Sequence, residues 1–275
     1  DKYISSPIHL APGTYPIEMI YTKAQGWLPT SFGLTISSPD IRAFLISDET
    51  SLYRETPDPI VIGTPSNTIL RSFMDIPEGK RIIHNVNVGS PQQLHYSYDM
   101  DNGTVFQLWR GKFIDAIPMW FSRGDGSSKP VGSRLQLGIP KPSIVKLLSP
   151  NDSIPADTSG SSFVTKGYEL TNNNTQTVFV YDAHGTAIRD ALQVTGNGGE
   201  LKRTVSLENN VGNLYIRIAE GEKIENLSKG WYLVDDAKYY IHIDDGSSNP
   251  SVRQSGNKSV LIAPIQHSFS YSILF

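Results

Sequence analysis

The sequence contains no cysteine, which excludes a disulfide framework, a cysteine-ligated metal site and a thiol nucleophile. Charged residues make up only 19% of the chain and the net charge is −3, so no basic field favours nucleic-acid binding. No apolar run is long enough to cross a membrane as a helix. The chain also lacks a P-loop, a dinucleotide fingerprint and a nucleophile elbow. These absences predict that the protein uses no cofactor.

The residues that are abundant favour turns and a well-filled core. The 275 residues include 10 Phe, 4 Trp and 13 Tyr, enough aromatic volume for a sizeable core. With 23 Gly and 18 Pro, the chain favours many turns over long helices. A length of 275 residues corresponds to one or two domains.

Short segments with strand character follow one another through most of the chain, separated by turn residues. They are predicted at 86–88, 94–98, 105–109, 135–137, 162–168, 177–181, 202–207, 213–218, 231–234, 239–243, 259–262 and 268–275. Asp101-Asn102-Gly103 predicts a tight hairpin between two of them, because these residue types tolerate positive φ. One short helix is predicted over residues 188–193. The spacing predicts an all-β fold, a large antiparallel β-sandwich with a small N-terminal β segment.

The N-terminal part predicts a separate small unit. Residues 7–21 alternate like two short strands around a Pro12-Gly13 turn, and a further strand is predicted at 32–36. Residues 48–59 are polar and contain prolines, as in a linker. We therefore expect one unit over residues 1–59 and a second over 60–275. Because the chain begins at Asp1 without an initiator methionine, we expect either a removed targeting segment or a fragment.

The opening segment from Ile8 to Tyr21, followed by Gly33-Leu-Thr-Ile36, resembles the C-terminal strands of PA14-type β-sandwich modules. In those modules a similar run of leucine, glycine and a strand ending in tyrosine closes the sheet. The resemblance implies that residues 1–59 are the terminal strands of a PA14-like module.

A second set of motifs extends over residues 60–275. The motifs are Leu70-Arg-Ser-Phe73, Val88-Gly-Ser-Pro91, His95-Tyr-Ser-Tyr-Asp99, Phe106-Gln-Leu-Trp-Arg-Gly-Lys-Phe-Ile-Asp115, Met119-Trp120 and Arg123-Gly124. In this order they resemble the β-rich module that follows PA14 segments in secreted bacterial proteins. The resemblance implies an exported bacterial protein associated with carbohydrate, with a companion catalytic domain as a possible partner. By analogy it implies a mutarotase-like supersandwich, although Phe121 stands where the family has a histidine.

The richest candidate binding segment runs from residue 109 to residue 132. Trp120, Arg123, Asp125, Arg110 and Asp115 are the predicted ligand-binding residues. An indole face can stack on sugar C–H groups, while arginine and aspartate can form paired hydrogen bonds to hydroxyls. The alternative interpretation is structural: the aromatic residues fill the core, and Arg110 pairs with Asp115 on a solvated face.

His84, His95 and Asp99 are the candidates for acid–base catalysis. His95 and Asp99 lie four residues apart on one predicted strand and therefore share a face. Ser97 shares that face too, with Tyr96 and Tyr98 opposite, which also fits an ordinary polar face. No histidine spacing predicts a metal site, and Gly103 interrupts the acidic run at residues 99–102 in a way that fits a hairpin turn.

Three functions are compatible with the sequence. The first is a non-catalytic carbohydrate-associated module of an exported bacterial protein. The second is a carbohydrate-active enzyme, a glycoside hydrolase or epimerase, that uses histidine with a carboxylate. The third is a structural spacer for a catalytic domain outside this chain. An open sheet face bearing Trp, His and carboxylates would favour the enzyme, and a filled face would favour the spacer.

Overall fold

The computed structural model describes residues 6–20, 22, 34–38, 41–45, 58–149, 152–244 and 249–275. Nineteen strands are assigned in the described chain. They are β1 Thr35–Ser38, β2 Ile41–Leu45, β3 Thr68–Asp75, β4 Arg81–Gly89, β5 Leu94–Asp99, β6 Thr104–Asp115, β7 Lys129–Gln136, β8 Ile144–Lys146, β9 Val164–Thr171, β10 Gln176–Ala183, β11 Thr186–Thr195, β12 Glu200–Leu207, β13 Leu214–Gly221, β14 Ile224–Ser228, β15 Trp231–Val234, β16 Tyr239–Ile243, β17 Ser251–Ser255, β18 Lys258–Pro264 and β19 Ser268–Leu274. The α-helix in this part of the chain is the single turn α1, Ile117–Trp120. The predicted all-β class is confirmed.

The strands form three large antiparallel sheets and a small one. An eight-stranded sheet has the order β14-β15-β16-β19-β12-β11-β10-β9, and a four-stranded sheet has the order β17-β18-β13-β8. A five-stranded meander runs β3-β4-β5-β6-β7, and β1 pairs with β2. One continuous hydrophobic core joins side chains from all three large sheets, so the five- and four-stranded sheets both pack on the eight-stranded one. This arrangement is an antiparallel β-sandwich.

Strict alternation of buried and more exposed residues orients the strands of the eight-stranded sheet. Along β12, every second residue from Leu201 to Leu207 is buried and the residues between are half-buried. Successive strand residues face opposite sides, so this pattern turns one face toward the core. Across the interface, the rings of Tyr98 on β5 and Phe179 on β10 stack with centroids 3.7 Å apart. Apolar burial and ring packing thus hold the two layers together.

The helix predicted at residues 188–193 is wrong, because this segment is the middle of β11. Alanine, leucine, arginine and glutamine favour a helix in isolation. In the fold, however, Ile188, Asp190 and Leu192 are all fully buried at a spacing of two residues. Pairing with β10 and β12 on both sides supplies a complete backbone ladder, so tertiary context overrides local propensity.

Most other strand predictions are confirmed, including the hairpin between β5 and β6. Its turn is closed by Asp99, whose carboxylate accepts hydrogen bonds from the Asp101 backbone N–H and the Asn102 side chain at 3.0 and 2.7 Å. Gly103 takes φ +60° there. Strands β2, β3, β8, β14 and β17 were missed. They have three to eight residues and lack a strict alternation of apolar and polar residues.

Strand β6 contains a bulge, so its two faces do not follow simple alternation. The indole of Trp109 is fully buried, as the structural interpretation of the segment 109–132 expects. Alternation would place Val105 on the same face as Trp109, but Val105 packs with Leu108 in the main core. The pairing shifts from Ser97↔Gln107 to Tyr98↔Val105, which leaves Phe106 as an extra residue. One inserted residue reverses the alternation on one side of it, so simple period-2 reasoning fails across the bulge.

The two strands predicted at residues 7–21 are wrong over the described residues 6–20. These residues form no strand, although the chain bends at Pro12-Gly13. Three prolines lack the N–H that a ladder needs, and no described segment pairs with this one. Of the strand predicted at 32–36, Thr35 and Ile36 lie in β1, whereas Phe32 and Gly33 lie outside the described residues.

The predicted linker at 48–59 lies mostly outside the described residues, so the division near residue 60 stays a prediction. From Ile60 the chain runs beside β6. Ala116 N–H donates to Ile60 O and Ile62 N–H donates to Ile114 O, both at 2.9 Å. Ile62 packs on the Trp109 cluster. Among the described residues, no helix is long and apolar enough to span a membrane.

Candidate functional site

The connection between β6 and β7, residues 116–128, is the candidate binding loop. It begins at Asp115, where β6 ends. One carboxylate oxygen of Asp115 accepts hydrogen bonds from the Ile117 N–H at 3.0 Å and from the Ile60 N–H at 3.1 Å. Asp115 therefore fixes the start of the turn α1 and holds the chain at Ile60 beside it. Its carboxylate is thus used by backbone N–H groups of the protein.

Gly124 closes the loop at a point where no other residue fits. Its φ is +60°, and a Cβ there would lie 1.9 Å from the carbonyl oxygen of Met119. Its N–H donates to Phe121 O at 2.8 Å, and the next N–H, of Asp125, donates to Pro118 O at 3.1 Å. Residues 117–125 thus form one compact turn.

A charged clamp ties this turn to the neighbouring strands. Arg81 at the start of β4 donates to Asp125 Oδ2 at 2.9 Å and to both carboxylate oxygens of Asp75 at 2.7 and 2.8 Å. Asp125 Oδ1 accepts from the N–H and hydroxyl of Ser127. Backbone hydrogen bonds from Phe73 N–H to Gly126 O and from Ser128 N–H to Phe73 O complete the attachment to β3. The loop is therefore held at several points.

The Ser127 and Arg81 hydrogen bonds hold the pKa of Asp125 well below its usual range. The hydrogen bonds that Arg81 donates to the Asp75 and Asp125 carboxylates raise the pKa of Arg81. Asp125 therefore stays ionised at neutral pH, and its two oxygens are already occupied by protein donors. It positions the loop, and hydrogen bonds to a ligand would come from groups beside it.

The anchored loop presents aromatic surface to solvent. The side chain of Trp120 is 72% exposed and that of Phe121 is 41% exposed. Arg123, also exposed, takes φ +77° in the turn next to them. An exposed indole and an exposed guanidinium three residues apart on one turn can combine stacking on an apolar ring face with hydrogen bonds donated at its edge.

Arg110 lies apart from this loop surface. Its guanidinium donates to the backbone oxygens of Phe275, Gly198 and Gly199 at distances of 2.5–3.2 Å. It therefore joins β6 to the end of the chain and to the turn between β11 and β12. The structure thus brings together Trp120, Arg123 and Asp125, with Asp115 at the base of the loop and Arg110 elsewhere.

The candidate catalytic residue His95 is a buried structural group. Its Nδ1 accepts a hydrogen bond from the Ser90 N–H at 3.0 Å, so Nε2 carries the proton and donates to Gly111 O at 2.9 Å. The ring lies between Trp109 and Phe113, with centroids 5.5 and 5.3 Å away. Burial lowers the pKa of His95, which keeps it neutral. Neither ring nitrogen is free for proton transfer.

His84 and Asp99 do not complete a catalytic pair with His95. His84 is exposed, and its Nδ1 lies 2.8 Å from Asp101 Oδ1 on the hairpin turn. Asp99 is buried, which raises its pKa, and both its oxygens serve that same turn. No group of three or more His, Cys, Asp or Glu residues in the described chain could hold a metal ion.

The face of β5 that carries His95 is polar but closed. Tyr96 and Tyr98 point into the main core, as the sequence predicts. On the other side, Ser97 donates to Asn87 Oδ1 at 2.6 Å and accepts from Gln107 Nε2 at 2.9 Å. These three polar side chains are fully buried. A hydrogen-bonded, covered face of this kind stabilises the sheet and leaves no room for substrate.

His95 also makes a specific contribution to the pH dependence of stability. Its unfolded pKa is about 6.5 and its folded pKa is lower, so the stabilisation is complete above pH ~6.5 and declines as the pH falls toward the folded pKa. We expect His95→Phe to be less stable than the wild type and to lose less stability between pH 7 and pH 5. Urea unfolding at several pH values measures both effects.

The control for this experiment is His267→Gln, at an exposed position. Asp99, with a raised pKa, contributes with the opposite sign at lower pH, and His184, with a lowered pKa, contributes with the same sign. Both contributions cancel when variant and wild type are subtracted. If the difference in the free energy of unfolding between His95→Phe and the wild type stays the same from pH 7 to pH 5, the lowered pKa assigned to His95 is contradicted.

Comparison with known proteins adds little. No family model matches the chain, and no curated protein matches it. Among solved structures, it is similar to the 4-alpha-glucanotransferase from Thermococcus litoralis, with 12% sequence identity and a TM-score of 0.37. The match covers 76% of this chain but 39% of that one, so the chain spans well under half of the enzyme's length.

Sequence reasoning missed Arg81 and Asp75, which hold the candidate loop in place. Arg81 and Asp125 are 44 residues apart in the sequence, and no local spacing links them. Only the packing of β3 and β4 beside the loop brings them into contact. The available signal was the pair of opposite charges Asp75 and Arg81 on either side of Pro77 and Gly79, which is too common to single out.

Proposed function

We propose that this protein is a non-catalytic carbohydrate-binding β-sandwich module whose binding surface is the loop carrying Trp120. The observation that carries the proposal is the 72% exposed indole on a loop anchored by Arg81 and Asp125. Contiguous exposed apolar surface often marks a binding site. Because the loop is already anchored, it loses less conformational entropy when a ligand binds. Phe121 extends the same apolar surface.

The assignment as non-catalytic rests on the state of the acid–base candidates. His95 has both ring nitrogens bonded to backbone groups, and Asp99 is committed to a turn. His84 pairs with Asp101 in solvent. A sugar-transforming site needs an acid and a base that converge on one substrate position, and these residues do not. Export from a bacterial cell and a companion catalytic domain are further proposals that rest on the sequence resemblance alone.

Trp120→Ala is expected to weaken binding of a carbohydrate identified on a glycan array by about 5- to 150-fold, the range for loss of a hot-spot side chain of ~1–3 kcal/mol. Its stability should change by no more than ~0.5 kcal/mol because the indole is exposed. Titration calorimetry and thermal unfolding measure the two effects. Tyr240→Ala removes another exposed aromatic side chain, from β16, and should leave binding unchanged.

Three outcomes would contradict the proposal. If no glycan binds, the carbohydrate assignment fails. If Trp120→Ala and Tyr240→Ala bind equally well, the site is not on this loop. If the purified chain turns over a glycan and the turnover depends on His84, the enzyme alternative replaces the binding module.

A further inference from the structure

A narrow cleft lies where the three large sheets meet, away from the Trp120 loop. Its floor contains Arg203 and Tyr271 from the eight-stranded sheet, and its wall contains Arg217 and Glu220 from β13. Lys141, from the connection between β7 and β8, stands at the side. About 50 Å³ of the cleft can be reached by the centres of water molecules. This is room for roughly three to four waters, since each needs at least ~10–15 Å³.

Positive side chains outnumber negative ones in and around this cleft. Glu220 contacts Lys141 at 2.7 Å, Arg217 at 3.4 Å and Lys258 at 3.9 Å. In the part of the chain that the structure describes, no other carboxylate lies within 4.0 Å of these three cations. Arg203 is neutralised separately by Asp190. One carboxylate therefore faces three positive charges.

Arg217 is the cleft residue whose hydrogen-bond donors are least satisfied by the protein. It is 8% exposed, and its Nε is buried without a hydrogen-bond partner among the described residues. Its contacts with other residues are long, 3.5 Å to Pro155 O and 3.4 Å to Glu220. A guanidinium normally uses its fork of donors fully when it is buried. Burial lowers the pKa of Arg217 and Glu220 raises it only in part, which agrees with a cation that lacks counter-charge.

The cleft also offers a neutral donor. The Tyr271 hydroxyl accepts a hydrogen bond from Arg203 Nη1 at 3.0 Å, so its own O–H proton remains to be donated. Two N–H groups of the Lys141 ammonium donate to the Glu220 carboxylate oxygens, at 2.7 and 2.8 Å, which leaves the third N–H without an acceptor among the described residues. This third N–H, the Nε of Arg217 and the hydroxyl of Tyr271 remain as donors around a space the size of a few waters.

We propose that this cleft binds a small oxyanion group of carboxylate or sulfate size, held mainly by Arg217 and Lys141. A guanidinium matches the paired oxygens of such a group, and the low exposure of Arg217 reduces competition from water. The space is too small for a sugar ring. The oxyanion is therefore a free ion or the acidic group of a molecule whose remainder stays outside the cleft. This site shares no residue with the Trp120 loop.

Calorimetric titration with sodium sulfate, sodium acetate and sodium glucuronate tests the proposal, with chloride exchanged so that ionic strength stays constant. Glucose is the neutral reference. We expect saturable binding of the anions and none of glucose at this cleft. Tighter binding of glucuronate than of acetate identifies an acidic sugar as the source, and equal binding identifies a free ion. Absence of saturable binding for all three anions overturns the proposal.

Two variants of cleft residues should change the anion affinity in opposite directions. Lys141→Met should weaken anion binding at least about tenfold, as expected for loss of a charged hydrogen bond of ~1.4 kcal/mol or more. Glu220→Gln should strengthen it, because the competing internal carboxylate is removed. The matched control is Lys166→Met, which removes a lysine from an exposed ion pair with Asp182. If Lys141→Met fails to fold, Lys258→Met, at a more exposed position, should still weaken binding.

If Lys166→Met lowers the anion affinity as much as the cleft variants do, the effect is nonspecific charge screening and the proposal is wrong. A lower anion affinity in Glu220→Gln would also contradict the proposal. Trp120→Ala separates this proposal from the carbohydrate-binding one, since it should leave sulfate binding unchanged.

Discussion

Replacing Arg203 with methionine is expected to destabilise the protein by roughly 3–5 kcal/mol, the cost of breaking a buried ion pair by removing one partner. Arg203 is 1% exposed and Asp190 is fully buried. Their side chains form a two-point ion pair, with Nε to Oδ1 at 2.8 Å and Nη2 to Oδ2 at 2.5 Å. The variant would leave the Asp190 carboxylate inside the sandwich without a cation. Urea unfolding at neutral pH measures the loss.

Arg203 also connects layers of the sandwich, which explains why the loss should be large. It donates to Tyr271 on β19, to the Ser143 hydroxyl and to the Gly103 carbonyl in the β5–β6 turn, at 2.7–3.0 Å. Tyr98 of the opposite sheet donates to Asp190 at 2.7 Å. Burial acts to lower the pKa of Arg203, but attraction to Asp190 outweighs it and holds that pKa above its ordinary value.

The double variant Arg203→Met with Asp190→Leu is the control for this experiment. An apolar pair leaves no charge unpaired, so it should be more stable than Arg203→Met alone. A loss below about 1 kcal/mol in the single variant would mean that water reaches Asp190 and that the network contributes little.

Trp109→Ala is expected to cost roughly 3–5 kcal/mol through lost burial and the cavity left behind. The indole is fully buried and lies parallel to Phe113, with centroids 5.8 Å apart. Its Nε1–H donates to Phe113 O at 2.7 Å. The side chain therefore fills the space between β6 and the chain that passes over it at Ile62. Denaturant unfolding measures the change.

Trp120→Ala is the matched comparison, because it removes the same side chain from an exposed position. We expect a small loss there, so the two tryptophans should differ by several kcal/mol. A loss below ~1 kcal/mol for Trp109→Ala would show that the surrounding cluster collapses onto the space or that the indole is not buried in solution.

The all-β class, most strands after residue 60 and the β5–β6 hairpin were predictable because each depends on local chemistry. Alternation of apolar residues orients a strand, and Asp101-Asn102-Gly103 favours a tight turn whatever surrounds it. In the segment 109–132, Trp109 fills the core whereas Trp120 is exposed, so neither of the two interpretations of that segment holds for all of its aromatic residues.

Other features depended on contacts between residues far apart in the sequence, and only the tertiary structure decided them. Residues 188–193 form a strand because β10 and β12 pair with this segment on both sides, and Asp190 there meets Arg203, which lies 13 positions away on the neighbouring strand. His95 is inert because Ser90 and Gly111 occupy its nitrogens, and Arg81 reaches Asp125 across two strands. Residue order determines which side chains can alternate, turn or stack. Whether a polar group is free to bind or is already satisfied depends on the neighbours that the fold places around it, because a hydrogen bond needs its partner within about 3 Å.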